Sequence, residues 1–408
     1  MADSRSRLGG ALLVTLVAAC AISLLSFGVR GAFGLFTEPL TRDLQVSREV
    51  YAVAIAIQNL CWGLTQPFAG YVSDRWGARR VMLAGAVLYT VGIAGLVFAR
   101  DTTTIYWTAG VLVGVGMGGA SFTTAVAALG RVMPDTHRSW ALGLGTAAGS
   151  LGQFVVVPVT QAVIDSGGWR SGAWFMAACM AAAFLAAFFV RSGKSVTAGQ
   201  PGGGAGALRI LAAAFAHPSY LLLVAGFFVC GFQLAFITTH LPAYLIDRGL
   251  NATVASWGIA MVGLVNIAGA YLAGVWGGRY SKKNLLCAIY LARGAAILLF
   301  ILASAGTGSV LLFGAAMGAL WLSTVPLTSG LVATFFGTRY MATLFGFVFL
   351  SHQVGSFLGV YFGGVAYART GSYDVVWWTC IALSLFAAVV NFPIREKPSR
   401  PFAALSPA

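Results

Sequence analysis

Long apolar stretches recur along the whole of this chain, and their length constrains its fold more than any other feature. An α-helix crosses the roughly 30 Å apolar core of a bilayer in about 20 residues, and these stretches are each about 18 to 28 residues long. Inside a bilayer, backbone hydrogen bonds are satisfied only by helices or closed barrels. Hydrophobic residues make up 59% of the 408 residues and charged residues 9%, too few charges to cover a soluble protein of this size. The sequence therefore predicts an all-α membrane protein with twelve transmembrane helices, at roughly 9–36, 48–73, 81–99, 104–130, 140–164, 170–190, 219–246, 253–278, 285–304, 309–335, 341–367 and 374–394.

The Lys and Arg residues are distributed unequally between the two sides of these spans. Seventeen of the 25 would lie on the side of the chain termini and six on the opposite side, with Arg30 and Arg293 inside spans. Because cytoplasmic loops carry the excess of Lys and Arg, we expect both termini in the cytoplasm and a location in the cell membrane, the inner membrane of a bacterium. This topology accounts for the net charge of +14, so we expect no nucleic-acid partner. The six cysteines fall inside spans with no paired spacing, and we expect no metal site and no cofactor.

The loop between the predicted second and third spans carries one acid and three arginines in eleven residues. It reads Gly70-Tyr-Val-Ser-Asp74-Arg75-Trp-Gly77-Ala-Arg79-Arg80. Its glycines let two helix ends approach closely, and its cations mark a cytoplasmic turn. The loop resembles the signature loop between helices 2 and 3 of the major facilitator superfamily. The resemblance implies a secondary transporter whose conformational-switch loop contains Gly70, Asp74, Arg75, Gly77, Arg79 and Arg80.

The chain divides into two similar halves. A stretch rich in Gly, Ser and Pro follows the sixth span and is typical of a flexible linker. We therefore predict an N-terminal six-helix bundle (1–190), a cytoplasmic linker (191–218), a C-terminal six-helix bundle (219–394) and a cytoplasmic tail (395–408). The first span leaves the membrane through Glu38-Pro39-Leu40 and the seventh through Leu241-Pro242-Ala243, as a pseudo-symmetric pair would. Two such halves around a midplane cavity are the arrangement expected for alternating access, in a protein that we expect to be a monomer.

Ionisable side chains inside a bilayer are costly, so those within the spans are candidates for function. All eleven acids fall in loops, tails or helix ends, whereas Arg30 lies in the first span, Arg293 in the ninth and His352 in the eleventh. The interior thus holds positive charge without an acidic partner, and a carboxylate suits a guanidinium group. Each residue also has a packing alternative, since Arg293 could snorkel or face a helix interface and a lone histidine is often a hydrogen-bonded packing residue. Candidate hydrogen-bonding residues inside the spans are Gln58, Asn59, Gln153, Gln233, Asn266, Tyr290 and Gln353.

Beyond the superfamily, three segments resemble the monocarboxylate transporters and oxalate/formate antiporters. They are 26–36 in the first span, 114–158 across the fourth and fifth spans, and 345–359 in the eleventh. The resemblance places Arg30 where animal members have a functionally important lysine, and His352 where the oxalate carrier has a substrate-binding lysine. The arginine and aspartate that the family carries in helix 8 correspond to Ala270 and Asn266 in this chain. The family's proton-coupling scheme therefore does not transfer.

These observations lead to one principal function and two alternatives. We expect a carrier, not an enzyme, that moves a small organic anion, a monocarboxylate, by proton symport or by exchange with a counter-anion. The predicted substrate-binding residues are Arg30, His352, Gln353, Arg293, Tyr290, Gln233 and Asn266, with His352 and Glu38 as candidates for proton coupling. The alternative is an exporter of drugs or other small molecules with the same fold, which would need a deep carboxylate to bind cations. A membrane enzyme would need a convergent set of catalytic residues, and the sequence contains no such motif.

Overall fold

Helices make up almost all of the described chain. The computed structural model describes residues 9–191, 211–337 and 341–398, without the side chains of Asp74, Asp135, Ser139, Met341 and Ala342. Within these ranges no β-strand forms. The helices are α1 (Gly10–Ala32), α2 (Thr37–Leu44), α3 (Arg48–Trp76), α4 (Ala78–Val97), α5 (Thr102–Ile105), α6 (Val113–Gly119), α7 (Phe122–Val132), α8 (Asp135–Ala187), α9 (Pro218–Asp247), α10 (Ala252–Arg279), α11 (Lys282–Leu302), α12 (Thr307–Leu320), α13 (Thr324–Phe336), α14 (Met341–Thr370) and α15 (Asp374–Asn391). A 3₁₀ segment (Phe33–Phe36) joins α1 to α2, and a π-helical segment (Tyr106–Leu112) joins α5 to α6.

Twelve membrane crossings follow from these helices, as the sequence predicts. Ten stretches of the described chain are long and apolar enough to cross a bilayer. One of them, Thr136–Ala187, turns back at Gly168, so that α8 makes two crossings. The φ of Gly168 is 77°, a left-handed conformation that favours glycine. The remaining crossing is α3, which is 29 residues long and carries Gln58 and Asn59 among its apolar residues.

Polar side chains fix where several of these helices begin. Ser47, Asp101, Asn251 and Ser281 each precede a helix, and each accepts a hydrogen bond from the backbone N–H three residues further on. These N-caps satisfy donors that the first helical turn leaves unpaired. The bond from the Thr104 N–H also holds the pKa of Asp101 below its usual range, because it stabilises the charged carboxylate. The caps therefore set the loop ends of the crossings independently of the apolar runs.

The helices form two bundles of six crossings each. In the N-terminal bundle, α1 and α4 pack on α8, and in the C-terminal bundle α9 packs on α14 and α11 on α15. The bundles meet where α3 packs on α14 and where α8 packs on α10. Most of the predicted linker and the end of the predicted tail lie outside the described residues. We call the face that carries the loops at 45–47 and 248–251 the outer face, because the excess of Lys and Arg lies on the opposite one.

Candidate functional site

Arg30 lies near the end of α1 at the interface between the bundles. The carbon at the centre of its guanidinium group is 5.1 Å from the ring centroid of Trp62 and 5.9 Å from that of Phe27. Among the residues that the structure describes, Arg30 forms neither an ion pair nor a hydrogen bond. Its electrostatic neighbour is Tyr89 of α4, whose buried hydroxyl also has no hydrogen-bond partner. The guanidinium group therefore rests on aromatic rings, and its donors are available to a ligand.

A small cavity adjoins Arg30 between the two bundles. The N-terminal bundle supplies six of the lining residues and the C-terminal bundle three: Arg30, Phe33, Gly34, Ile55, Gln58, Asn59, Ala235, Thr238 and Thr239. The space measures about 10 Å³, which is enough for a single water molecule. An organic anion would therefore fit only after the bundles move apart at this level.

Gln58 and Asn59, both on α3, leave their amide oxygens unpaired beside this cavity. The Gln58 Nε2 donates to the carbonyl oxygen of Ala109, and the Asn59 Nδ2 donates to that of Ile55, each at 2.8 Å. Because a carbonyl group only accepts, these bonds assign the nitrogen and oxygen of each amide. Neither amide oxygen receives a hydrogen bond from the described chain, although the two residues are only 2% and 4% exposed. The site thus combines free donors on Arg30 with free acceptors on α3.

His352 and Gln353, on α14, connect the two bundles at the same level. The Gln353 Nε2 donates to the backbone carbonyl oxygen of Asn59 at 3.1 Å, and the Gln353 Oε1 lies 2.9 Å from the His352 Nδ1. Since that amide oxygen only accepts, the His352 Nδ1 carries the proton. The His352 ring stacks on Phe349, which packs edge-on against Trp62. The structure therefore brings these two predicted residues to the part of the interface that contains Arg30.

Arg293, by contrast, is fully buried inside the C-terminal bundle with most of its donors in use. Its Nε and Nη2 donate to the carbonyl oxygen of Leu320, and Nη2 also donates to that of Trp321, at 2.6–3.2 Å. These carbonyl groups lie where the tenth crossing is interrupted between α12 and α13. Tyr290, whose ring lies under the Arg293 guanidinium group, donates its hydroxyl to the carbonyl oxygen of Gly226. Neither Arg293 nor Tyr290 lines the Arg30 cavity.

Asn266 links the bundle interface to this interrupted crossing. Its Nδ2 donates to the Ser150 Oγ of the other bundle at 2.8 Å, and its Oδ1 accepts from the Leu322 N–H at 2.9 Å. Gln233 lies inside the C-terminal bundle and donates to two oxygen atoms of α15. Both side chains are thus bonded to the protein at a distance from the Arg30 cavity, and the structure does not bring them to it.

Three charged side chains join the bundles at the outer face, and we call Glu38, Arg48 and Asp247 the outer ion cluster. Arg48, at the start of α3, forms two hydrogen bonds with the Asp247 carboxylate at 2.6 and 2.8 Å, and one with Glu38 at 2.7 Å. The Arg48 guanidinium group also lies 4.2 Å from the ring centroid of Tyr367. Its side chain is only 11% exposed. Because Arg48 and Asp247 belong to different bundles, the cluster joins the two bundles at the outer face. Glu38, predicted for proton coupling, is part of it.

Gly34 makes a second closure between the outer ion cluster and Arg30. A Cβ atom at this position would overlap the carbonyl oxygen of Thr238, so only glycine allows the first crossing to approach α9 this closely. Gly34 lines the Arg30 cavity on one side and a larger cavity of about 190 Å³ on the other. The larger cavity lies toward the outer face, between Glu38 and Pro242. The Gly34 contact therefore separates the outer cavity from the candidate site.

The predicted conformational-switch loop joins α3 to α4 on the face opposite the outer ion cluster. Gly77, with a φ of 91°, is the single residue between the two helices. Arg75 donates to a tyrosine hydroxyl one turn earlier in α3, and Arg79 lies over an aromatic ring next to α8. The side chain of Asp74 lies outside the described part of the chain, so its partner stays a prediction. The other two members, Gly70 and Arg80, lie in α3 and α4.

Several residues that shape the site are not among those predicted from the sequence. Trp62, whose ring lies against the Arg30 guanidinium group, follows Asn59 by three residues and precedes Gln66 by four. That spacing puts polar and aromatic side chains on one face of α3, and it is a signal from which Trp62 could be found. Arg48 has no comparable signal, because its partner Asp247 is 199 residues away.

Comparisons with known proteins agree with this architecture. A family model described as Major Facilitator Superfamily matches residues 18–255 and 247–407. The chain is similar to "Uncharacterized MFS-type transporter YcxA" of Bacillus subtilis (strain 168), with 27% identity over 392 residues, 92% of this chain and 93% of that protein. It is also similar to monocarboxylate transporter 11 of Mus musculus, with 26% identity over 411 residues, 96% of this chain and 89% of that protein.

Solved structures show the same fold. The crystal structure of a D-xylose-proton symporter has a TM-score of 0.79 at 13% identity, covering 95% of this chain and 100% of that one. The inward open conformation of the xylose transporter XylE from E. coli has a TM-score of 0.73, also at 13% identity, covering 94% and 96%. At such identities the likeness concerns the fold alone. Because the family model matches nearly the whole chain, this protein belongs to the Major Facilitator Superfamily and is a multi-pass integral membrane transporter with twelve transmembrane helices.

Proposed function

We propose that this transporter moves a small organic anion with one carboxylate group across the membrane by alternating access. The observation that carries the proposal is Arg30, a cation at the bundle interface without an ion pair or hydrogen bond among the described residues. Two unit charges 4 Å apart attract by about 4 kcal/mol at an effective dielectric constant of about 20. A carboxylate beside Arg30 would therefore be held firmly, and a guanidinium group can bind it through two parallel hydrogen bonds.

The charge of the site favours a monocarboxylate over a dicarboxylate. Arg30 is the single charged residue among those that line the cavity. Arg293, the other arginine within a span, already donates to carbonyl groups at the interruption of the tenth crossing. A second carboxylate in this cavity would therefore meet no second cation among the residues that line it. The similarity to monocarboxylate transporter 11 supports the same class of substrate.

Alternating access would follow from how the bundles meet. The outer ion cluster and the Gly34 contact join the bundles on the outer side of Arg30. A bound anion would neutralise Arg30, and an uncharged site can be enclosed between the bundles at lower cost. Because a ligand shifts a conformational equilibrium only through different contacts in its states, the anion must bind more tightly when the bundles enclose it. The loop from Gly70 to Arg80 would act as the switch on the other face.

The driving force is proton symport or exchange with a counter-anion. For symport, the candidate proton carriers are His352, beside the site, and Glu38, in the outer ion cluster. Protonation of Glu38 would remove its negative charge from the outer ion cluster and weaken its hydrogen bond to Arg48 within the N-terminal bundle. We propose a monomer in the cell membrane with both termini in the cytoplasm, consistent with the distribution of Lys and Arg.

A ligand screen on the purified protein tests the proposal. Small monocarboxylates, dicarboxylates and lipophilic cations are added to the protein in detergent at two pH values, and the melting temperature is measured. A ligand at 100 times its Kd stabilises the folded state by about 2.7 kcal/mol, which is visible as a shift of several degrees. We expect stabilisation by monocarboxylates alone. Stabilisation by lipophilic cations and by no acid would contradict the proposal and favour an exporter.

Transport in proteoliposomes then separates the two driving forces. Acids that stabilise the protein are loaded inside or outside, and uptake is followed with a pH electrode in the external medium. Alkalinisation of the medium that accompanies net acid uptake would show symport. Uptake that requires an acid on the opposite side and leaves the external pH unchanged would show exchange.

A further inference from the structure

Two buried polar side chains meet inside the C-terminal bundle, beside the interruption of the tenth crossing. Tyr290 of α11 donates its hydroxyl to the carbonyl oxygen of Gly226 of α9, which joins the two helices at one level. Since a single crossing separates them along the chain, α9 and α11 run in the same direction. Cys230 lies one turn after Gly226, and Arg293 lies one turn after Tyr290. The two helices therefore bring a thiol and a guanidinium group, both 0% exposed, to the same level.

Arg293 has one unused donor group, and Cys230 is its electrostatic neighbour. The Arg293 Nη1 is buried without a hydrogen-bond partner, and Arg293 forms no ion pair among the described residues. The charge of Arg293 acts on Cys230, whose Sγ also lies 3.4 Å from the Oγ1 of Thr324, the first residue of α13. A buried donor without an acceptor is costly. A thiolate at Cys230 would supply both an acceptor and a counter-ion, since cationic neighbours favour the ionised form of a thiol.

His352 joins these two residues from α14. A Cβ atom on Gly231, next to Cys230, would overlap the carbonyl oxygen of His352, so α9 and α14 are in contact at this level. The Cys230 thiol forms a hydrogen bond with the His352 side chain. Because the His352 Nδ1 donates its proton to Gln353, the nitrogen that remains for Cys230 is Nε2, which accepts. The thiol is therefore the donor in this bond.

We call Cys230, Arg293 and His352 the thiol cluster, and it can take up one proton. Among the described residues, the titratable groups that interact with Cys230 are Arg293, His352 and Tyr290, whose hydroxyl is bonded to Gly226. Helices α12 and α13 carry no charged residue, and those of α2 lie at the outer face. The charged residues of α9, α10, α14 and α15 lie at helix ends: Asp247, Arg279, Arg369 and Asp374. With neutral His352, the cluster has no net charge as a thiolate and one positive charge as a thiol.

Contacts at the bundle interface connect the thiol cluster to the candidate site. Gln353 accepts from His352 and donates to the backbone carbonyl oxygen of Asn59, which lines the Arg30 cavity. An anion held by Arg30 would lie next to this connection, and its negative charge favours a proton on the cluster. By linkage, the proton strengthens the binding of the anion by the same factor. The anion and the proton together add no net charge, so the loaded transporter changes conformation with the same charge as the empty one.

We infer that Cys230 is the proton-binding group of a proton symporter. In the loaded state the proton is on the Cys230 Sγ, and the thiol donates to the His352 Nε2. In the empty state the Sγ is a thiolate that accepts from Arg293 and Thr324. One proton enters and leaves at the sulfur atom, and no electron is transferred. This inference rests on the proposed function and extends it, because it selects symport over exchange and assigns the proton to a cysteine.

Matched cysteine variants in proteoliposomes test the inference. Wild-type protein, Cys230→Ser and Cys380→Ser are reconstituted in equal amounts. Serine keeps a hydroxyl donor for His352 but does not ionise, and Cys380 is a second fully buried cysteine of the same bundle, on which no charged group of the described chain acts. Uptake of labelled pyruvate is measured from an acidic medium, with protein-free vesicles subtracted. It is then measured in counterflow, with pyruvate on both sides and no pH gradient.

We expect the pH gradient to drive pyruvate accumulation by the wild type and by Cys380→Ser. Accumulation by Cys230→Ser should fall by about tenfold, within the range of coupling between two sites, while counterflow persists. Accumulation by Cys230→Ser at the wild-type level, or an equal loss in Cys380→Ser, would overturn the inference. Counterflow without accumulation in the wild type would overturn it as well and leave the proposed function standing, as an exchanger. Neither activity, with any acid of the ligand screen, would instead contradict the proposed function.

Infrared spectroscopy of the purified protein gives a readout that does not depend on transport. The S–H stretching band of Cys230 is obtained by subtracting the spectrum of Cys230→Ser, and that of Cys380 by subtracting the spectrum of Cys380→Ser. We expect the Cys230 band at acidic pH, its loss at alkaline pH, and its return when pyruvate is added at intermediate pH, because the anion and the proton favour each other. The Cys380 band should persist over the same range. A Cys230 band that stays as constant as that of Cys380, or that is absent at every pH, would overturn the inference.

Discussion

Replacing Arg48 should open the outer mouth of the transporter. The substitution Arg48→Gln removes the two hydrogen bonds to Asp247 that join the bundles, while the bond to Glu38 lies within one bundle. Hydrogen bonds to charged groups contribute about 1.5–3 kcal/mol each, and exposed ion pairs much less. The Arg48 and Asp247 side chains are 11% and 31% exposed, so we take about 2 kcal/mol for the pair. This corresponds to about a thirtyfold increase in the population that is open to the outside.

The assay is the reaction rate of a cysteine that only an open outer mouth exposes. Ala235 lines the Arg30 cavity, is 1% exposed and lies on α9 below the Gly34 contact. Ala235→Cys is introduced into a variant whose six native cysteines are replaced by alanine, and a membrane-impermeant thiol reagent is added outside intact cells. While the open state remains a minor one, the reaction rate is proportional to its population. Arg48→Gln should therefore raise the rate about thirtyfold.

Arg42→Gln is the matched control for this substitution. Arg42 also lies beside Glu38, at 3.8 Å, but its side chain is 81% exposed and this ion pair lies within its own bundle. Its replacement should leave the reaction rate nearly unchanged. If folded Arg48→Gln protein reacted no faster than the control, the outer ion cluster would not be what keeps the outer mouth closed.

Three further substitutions test other parts of the structure. Gly34→Val places side-chain atoms against the carbonyl oxygen of Thr238, so it should prevent the bundles from closing at the outer face. We expect a higher reaction rate of the cysteine in Ala235→Cys and no anion exchange. Normal exchange would contradict the closure assigned to Gly34. Asn59→Asp places a resident carboxylate in the cavity that Arg30 lines, so anion uptake should fall about tenfold at neutral pH, which corresponds to about 1.4 kcal/mol. Uptake at the wild-type rate would contradict the binding of the anion by Arg30. Arg293→Met leaves the carbonyl groups of Leu320 and Trp321 unpaired, so it should lower the free energy of unfolding by about 2 kcal/mol and leave the affinity for acids unchanged. A loss of affinity at an unchanged melting temperature would show that Arg293 binds the substrate.

The fold could be predicted from the sequence because apolar length is a local property. Each span can be recognised from its own residues alone, and the loop from Gly70 to Arg80 lies between two neighbouring spans. The isolation of Arg30 was also predictable, since every acid could be placed at a helix end or in a loop. Among the described residues Arg30 forms no ion pair.

The partners of the other polar residues depend on contacts between distant segments, which a single sequence does not show. Arg293 donates to backbone carbonyl groups. Because every helix has these groups, no residue type in the sequence identifies the partner of Arg293. A weaker signal was present, because Pro326 lies in the first turn of α13 and proline is tolerated at a helix start. It indicates that the tenth crossing restarts near Ser323. The pairing of Arg48 with Asp247 likewise appears only when the bundles are assembled.

Anion uptake by variants of Arg30 tests the central claim most directly. Wild-type protein, Arg30→Ala, Arg30→Lys and the exposed control Arg369→Ala are reconstituted in equal amounts, and uptake of a labelled monocarboxylate is measured. We expect Arg30→Ala to lose uptake, Arg30→Lys to retain part of it because the charge remains without the planar fork, and Arg369→Ala to match the wild type. Full uptake by the folded Arg30→Ala protein would contradict the proposal that this guanidinium group binds the transported anion.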